Sequence, residues 1–382
     1  MKRYYIYEPS LQGEFTDEWN QCLKLITGTA LEGFRPVKVN IFISVPDNRS
    51  FLEALKTVTE NVVEVLGDKS PAVSVTVHPP KKPWKVSVEA LFLVPGTGKA
   101  ETRFYGSIPY VIINYFWGKE VWAAGLGAGY FSQNIRESSE NAFNHTVKLL
   151  AKEGLSLNNI IRQWNYIGNI LDVRNGLQHY QVFNEVRSEY YSHFRTVTGY
   201  PAATGIGLKS DSVIIDLCAV DPDKSVIIRG LSNPNQVNAY EYNQKVLKGV
   251  KGQGKDKKQP PQFERALLMT VRDRSVLYIS GTASIIGQST IGKNNVKEQT
   301  VVTLENIKKL VDTELISQAV AFTPEFSPRL RLLRIYVRHQ EDFSIVTSVC
   351  TERFPDVTMI CIEADVCRND LLVEIEAEAE IY

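Results

Sequence analysis

The segment Val373–Ile381 alternates with a period of two. Val373, Ile375, Ala377, Ala379 and Ile381 face one way; Glu374, Glu376, Glu378 and Glu380 face the other. Four carboxylates in a row repel one another. If the row is buried against another part of the chain, at least one of them keeps its proton. A carboxyl with a raised pKa is what general-acid chemistry near neutral pH requires. The last two glutamates read as a solvated outer face, which leaves Glu374 and Glu376 as carboxyls that burial could protonate. Cys367 lies seven residues upstream of Glu374 in Asp365-Val366-Cys367-Arg368-Asn369-Asp370, and a turn between two strands brings it to the same site.

Other familiar constellations fail on spacing. Pro95-Gly96-Thr97-Gly98-Lys99-Ala100 lacks the first P-loop glycine, since Leu93 stands there, and lacks the hydroxyl after the lysine. Gly125-Leu126-Gly127-Ala128-Gly129 has the wrong spacing for a dinucleotide fingerprint and reads as a tight turn. The five histidines are scattered, and none of the five cysteines forms a C-x-x-C pair, so no metal site is expected. No cofactor is expected either. Lys plus Arg and Asp plus Glu both number 43, and this balance argues against a nucleic-acid partner. The longest apolar stretch, residues 108–117, is too short to span a bilayer, and the first residues carry no apolar signal region. The sparse cysteines read as reduced thiols in a cytoplasmic protein.

The elements that must position these residues suggest two domains, residues 1–200 and 201–382. In the first, residues 37–45, 72–77, 85–94 and 110–115 read as strands and residues 51–67 as a helix. The Pro-rich stretch at 78–84 reads as a rigid, exposed connector. Residues 134–152, 156–169 and 178–194 read as three helices, the second on the spacing of Leu157, Ile160, Ile161, Trp164 and Ile167. In the second, residues 213–220, 275–280, 330–338, 358–366 and 371–381 read as strands, and residues 296–311 and 342–354 as helices. Residues 245–262 read as a flexible surface loop. The expected class is α/β (α+β), with mixed sheets packed on one face by helices.

Several segments together resemble a known family. Ser280-Gly281-Thr282-Ala283-Ser284-Ile285-Ile286-Gly287, Arg334-Ile335-Tyr336-Val337-Arg338 and Leu371-Leu372-Val373-Glu374-Ile375-Glu376-Ala377 resemble the RidA (YjgF-like) fold. With Arg162-Gln163-Trp164-Asn165-Tyr166-Ile167 and Tyr200-Pro201-Ala202-Ala203-Thr204-Gly205-Ile206-Gly207 added, the chain is similar to the chorismatases. The resemblance is dense over roughly the last two hundred residues and sparse before about residue 130. It implies two RidA-like domains, the first divergent and carrying added helices. Two such domains imitate part of a RidA trimer within one chain, so a monomer is expected.

The resemblance further implies removal of the enolpyruvyl side chain of chorismate as pyruvate, with Glu374 protonating the enol-ether methylene carbon. Cys367 and Gly281 are similar to the branch that aromatises the ring to 3-hydroxybenzoate; the hydrolytic branch, which yields a dihydroxy-cyclohexadiene carboxylate, tends to carry Ala at both. Alternatives are that hydrolytic activity, a mixed 3-/4-hydroxybenzoate synthase, and a non-catalytic binding protein for a small carboxylate. The arginine of the imine-hydrolysing RidA enzymes aligns near Val366, which argues against that activity. A dicarboxylate substrate calls for guanidinium groups. The candidates are Arg187 and Arg338, with Thr204, Tyr200 and Tyr190 completing the clamp.

Overall fold

β-branched runs alternate with amphipathic helices along the chain, and the computed structural model assembles them into three large sheets beside two short two-stranded ones. It describes residues 1–245, 247, 257–320 and 328–382. The first sheet holds β1 (Lys2–Tyr7), β2 (Arg35–Ile43), β3 (Ala72–Thr76) and β4 (Val86–Leu93) in the order β1-β4-β2-β3. The second holds β5 (Lys99–Tyr105), β6 (Ile108–Tyr115), β7 (Gly118–Leu126), β8 (Ile160–Gly168), β9 (Ala202–Leu208) and β10 (Val213–Pro222), in the order β5-β6-β7-β10-β8-β9. The third holds β11 (Val226–Leu231), β12 (Ala266–Val271), β13 (Arg274–Ala283), β14 (Arg329–Val337), β15 (Thr358–Glu363) and β16 (Val373–Ile381), in the order β11-β12-β13-β16-β14-β15.

The two six-stranded sheets therefore share one strand order, and the first sheet repeats it without the two leading strands. The helices repeat as well. The longer ones are α1 (Phe15–Leu31), α2 (Asn48–Leu66), α3 (Ile135–Lys152), α4 (His179–Phe194), α5 (Val296–Leu310) and α7 (Phe343–Arg353), with the short α6 (Thr313–Ala319) after α5. In each unit the second of these long helices crosses between the one parallel strand pair: β2 with β3, β8 with β9, β14 with β15. Side-chain caps start several helices where the sequence places Asp or Asn. Asp47 accepts the Ser50 N–H at 2.7 Å, and Asn134 and Asn295 cap α3 and α5 in the same way. Apolar helix faces cover the outer faces of the second and third sheets, while inner faces of all three sheets meet in one continuous core.

The mixed α/β class and most elements match the sequence expectation. Residues 156–169 do not form a helix. A short 3-10 turn, Leu157–Asn159, leads into strand β8, which lies between β9 and β10 and is buried on both faces. A strand covered on both sides loses its alternation, so its apolar run mimics a helical stripe. Helix α1 was not foreseen. The connector at 78–84 is not uniformly exposed, since His78 is fully buried and bonds the Gly207 carbonyl through Nε2 at 2.8 Å. Nor is the end of β16 a solvated face. Glu378 is buried and accepts from Tyr4 Oη at 2.6 Å, and Glu380 pairs with Arg331, because the first unit covers this edge. Strands β9 and β10 complete the second sheet. The turn at Gly125–Gly129 forms as expected: Gly125 and Gly127 adopt positive φ and lie against the Val73 and Val213 carbonyls, where no Cβ fits. Most of the expected loop at 245–262 lies outside the described residues.

Where the inner faces meet, six buried charges close a ring. Lys38 of β2 pairs with Asp216 of β10 at 2.9 Å. Arg162 of β8 pairs with Glu376 of β16 at 2.9 Å. Arg334 of β14 pairs with Glu89 of β4, Nε to Oε2 at 2.7 Å. Each cation comes from an equivalent strand and reaches a carboxylate on an equivalent strand of the next unit. Trp164 sits among them, with Lys38, Arg162 and Arg334 lying 4.5, 4.6 and 5.5 Å from its ring centroid.

Candidate active site

A cleft of about 740 Å³, its mouth included, lies at the junction of the second and third units. Strand β9 contributes Ala203 and Gly205, and α4 contributes Tyr180, Gln181 and Asn184. The third unit supplies Gly281 from β13, Glu374 from β16, and Cys367 and Arg368 from the turn before β16. Tyr242, Phe263 and Arg265 close it from the segment that leads into β12. Leu247, Pro261, Ile285 and Leu371 make much of the remaining wall apolar.

Glu374 stands in this wall and is 5% exposed. Burial, then the neighbouring Glu376 carboxylate, pushes its pKa up to about 8 against the opposing pull of Arg265 and Arg162. Among the described residues no side chain hydrogen-bonds its carboxyl. With burial raising its pKa, the carboxyl favours its protonated form at neutral pH. The carboxyl rests on Gly281: a Cβ at that position would lie 2.1 Å from Glu374 Oε1. The strand register shifts between Ile279 and Thr282, so a β-bulge carries this glycine. Burial and then the Glu374 charge push the Cys367 thiol up to about 12, so at neutral pH it is a neutral thiol and not a nucleophilic thiolate.

The cleft is electropositive. Arg265 and Arg368 both lie over the Tyr242 ring, 5.5 and 5.3 Å from its centroid. Arg265 donates to Tyr242 Oη at 2.8 Å and to the Val237 carbonyl, while its buried Nε has no partner. Arg368 donates to the Gln288 carbonyl at 3.0 Å. Arg187 lies one layer behind the wall, 2% exposed, and donates to Asn184 Oδ1 at 2.6 Å; its Nε is also unpartnered. Among the described residues, none of these three guanidiniums pairs with a carboxylate. A buried cation without a counter-ion is costly, and an anion entering the cleft would offset that cost.

The sequence-derived candidates divide accordingly. Glu374, Cys367 and Gly281 line the cleft together. Arg187 reaches it only through Asn184. Thr204 does not line it; its hydroxyl lies beneath the wall, bonded by Gly281 N–H at 3.1 Å and Arg162 at 2.7 Å. Tyr200 stacks on Tyr191 and borders a separate hollow with Glu264. Tyr190 bonds Asn144 Oδ1 at 2.8 Å between α3 and α4, away from the cleft. Arg338 clamps the turn before β16, binding Asp365 at 3.2 Å and the Arg368 and Asn369 carbonyls at 3.1 and 2.6 Å. These displacements share a common cause: strand ends and helix faces fix which way a residue points, and residue type does not. Tyr180, Asn184, Tyr242 and Arg265 were missed. A Glu264-Arg265 pair directly before a buried strand is a readable signal for Arg265, whereas Tyr242 sits in a segment without periodicity. Among the described residues no group of three or more His, Cys, Asp or Glu side chains is placed to hold a metal ion, and no helix is long and apolar enough to cross a membrane.

Comparison with known proteins places this arrangement among relatives. Residues 119–219 match the family model described as chorismatase FkbO/Hyg5-like, N-terminal. A 3-hydroxybenzoate synthase of Streptomyces hygroscopicus is 32% identical over 247 residues, which are 63% of this chain and 68% of that protein. A chorismatase of Streptomyces rapamycinicus is 31% identical over 222 residues, 57% of this chain and 63% of that protein, so the match spans less than two thirds of this second relative. A solved chorismatase structure superposes over 99% of this chain and 98% of its own, with a TM-score of 0.67 at 18% identity, which shows a shared fold.

Proposed function

The chain belongs to the chorismatase family, and we propose that its cleft converts chorismate to pyruvate and 3-hydroxybenzoate. The observation that carries this reading is a buried Glu374, whose surroundings favour its protonated form, in a largely apolar cleft that also presents guanidiniums unpaired with any carboxylate among the described residues. Chorismate carries two carboxylates. Arg265 and Arg368 are suited to receive them, with Arg187 adding positive potential through Asn184. Tyr242, whose ring both guanidiniums lie over, ties them to one side chain.

Glu374 donates its proton to the methylene carbon of the enol ether. The ether carbon becomes oxocarbenium-like, and the ring–oxygen bond then breaks. The neighbouring C4 hydroxyl displaces the side chain at C3, losing its proton as the new C3–oxygen bond forms and the side chain leaves as pyruvate. The oxygen bridge then opens at C4 and takes up a proton, and C4 loses its own proton as the ring aromatises with the oxygen now on C3, so the two products together contain every atom of chorismate. Water is not consumed, and the apolar wall of Leu247, Pro261, Ile285 and Leu371 limits its access. Cys367, a neutral thiol beside Glu374, occupies wall space that would otherwise admit a water near the ring. Within this reading the enzyme acts in the cytoplasm as a monomer, since its three units already close on one another.

The test is incubation of the purified protein with chorismate, with pyruvate and aromatic acids quantified by chromatography. Pyruvate and 3-hydroxybenzoate in equal amounts are expected, and Glu374→Gln is expected to abolish both while circular dichroism stays unchanged. Retained turnover in that variant would remove Glu374 as the acid. A dihydroxy-diene product would assign the hydrolytic reaction, and absence of pyruvate above the spontaneous background would leave a carboxylate-binding protein.

A further inference from the structure

Glu374 and Glu376 lie two residues apart on β16, on one face and about 7 Å apart along the strand. Both are buried, yet their surroundings differ. Glu376 accepts from Trp164 Nε1 at 2.7 Å, pairs with Arg162 at 2.9 Å, and is also bonded by Arg334 and by the Thr204 hydroxyl. Among the described residues Glu374 has no such partner. The Thr204 oxygen that donates to Glu376 also accepts the Gly281 N–H at 3.1 Å and an Arg162 N–H at 2.7 Å. One hydroxyl thus joins the Glu376 carboxylate to the backbone on which the Glu374 carboxyl rests.

We propose that Glu376 is a positioning residue for Glu374: its fixed negative charge keeps the proton on Glu374, and its tie through Thr204 to Gly281 holds that carboxyl in place. The proposal rests on Glu374 being the acid. The charges facing Glu374 come from four directions. Arg162 approaches from β8, Arg265 from the segment before β12, Cys367 from the turn before β16, and Tyr180 from α4. The two arginines favour an ionised Glu374. Burial keeps Cys367 and Tyr180 neutral, so neither opposes them. Glu376, on the same strand, opposes the two arginines, and its own guanidinium, indole and hydroxyl partners hold it ionised.

The pH dependence of kcat/KM for pyruvate release decides the matter, because its alkaline limb reports the acid. The wild-type limb is expected near 8. Glu376→Gln should move it down by about one pH unit or more, whereas Glu376→Asp should hold it. Arg162→Met should move it up. Thr204→Val keeps every charge, so it should leave the limb in place and lower kcat by about 10- to 100-fold with KM little changed. Unmoved limbs in folded Glu376→Gln and Arg162→Met would overturn the electrostatic role, and an unchanged kcat in Thr204→Val would overturn the mechanical tie. Should Glu376→Gln fail to fold, Arg162→Met and Thr204→Val still decide. The identity of the acid is tested separately by Glu374→Gln, whose retained turnover would sink the proposed function however the limb moves.

Discussion

At the scale of single residues, the feature that suits Glu374 to donate a proton also weakens the fold. Its carboxyl titrates near 8 in the folded chain and at the ordinary carboxylate value when unfolded. Between those values the unfolded state binds fewer protons than the native one, so stability falls as pH rises from about 4.5 to 8. Glu374→Gln cannot ionise and escapes that loss. The variant is expected to be inactive yet more stable than the wild type, by on the order of 1–3 kcal/mol at pH 8, with the gain vanishing near pH 4.5. Urea denaturation of both proteins at the two pH values measures it. Equal stability at pH 8 would mean that the Glu374 proton is not held as strongly as its surroundings indicate.

At the scale of elements, the bulge in β13 matters more than the strand around it. It lets Gly281 pass beneath Glu374, where a methyl group would sit 2.1 Å from the carboxyl oxygen. Gly281→Ala must push that carboxyl aside. Because a shift of about 1 Å costs on the order of 100-fold in rate, kcat should drop by about that factor while the melting temperature changes by only a few degrees. Steady-state kinetics alongside thermal melts test this, and an unchanged kcat would show that the carboxyl has room to yield. How far sequence can be read also becomes clear at this scale. Period two in Val373–Ile381 put four glutamates on one face, the family resemblance singled out Glu374 among them, and the turn between strands brought Cys367 near it. The same alternation misjudged Glu378 and Glu380, because period two separates two faces without saying what covers either. Strand β8 was misread for a related reason: covered on both sides, it has no polar face to mark it. Arg338 and Tyr190 were the right residue types pointing the wrong way, a choice made by tertiary packing.

At the scale of the whole molecule, three units of one strand order close around a ring of buried ion pairs. Such pairs contribute little net stability when intact, but losing one partner strands a charge away from water. Lys38→Met leaves Asp216 without its cation and should destabilise the protein by about 3–5 kcal/mol. Pairing it with Asp216→Leu should recover most of that loss, since the double variant buries no unpaired charge. Denaturant midpoints of the single and double variants provide the measurement. A single variant as stable as the wild type would mean that water reaches the ring.

The ring also orders the chain in time. Its members lie at residues 38, 89, 162, 216, 334 and 376, and each pair joins a residue to one made much later or much earlier. During synthesis Lys38 waits for Asp216, Glu89 waits for Arg334, and Arg162 waits for Glu376. Until β16 is made, Arg162 has no Glu376 to pair with, and the ring cannot close. The strand that carries Glu374 is thus also the one that closes the circuit, and it is the last strand of the chain to be made.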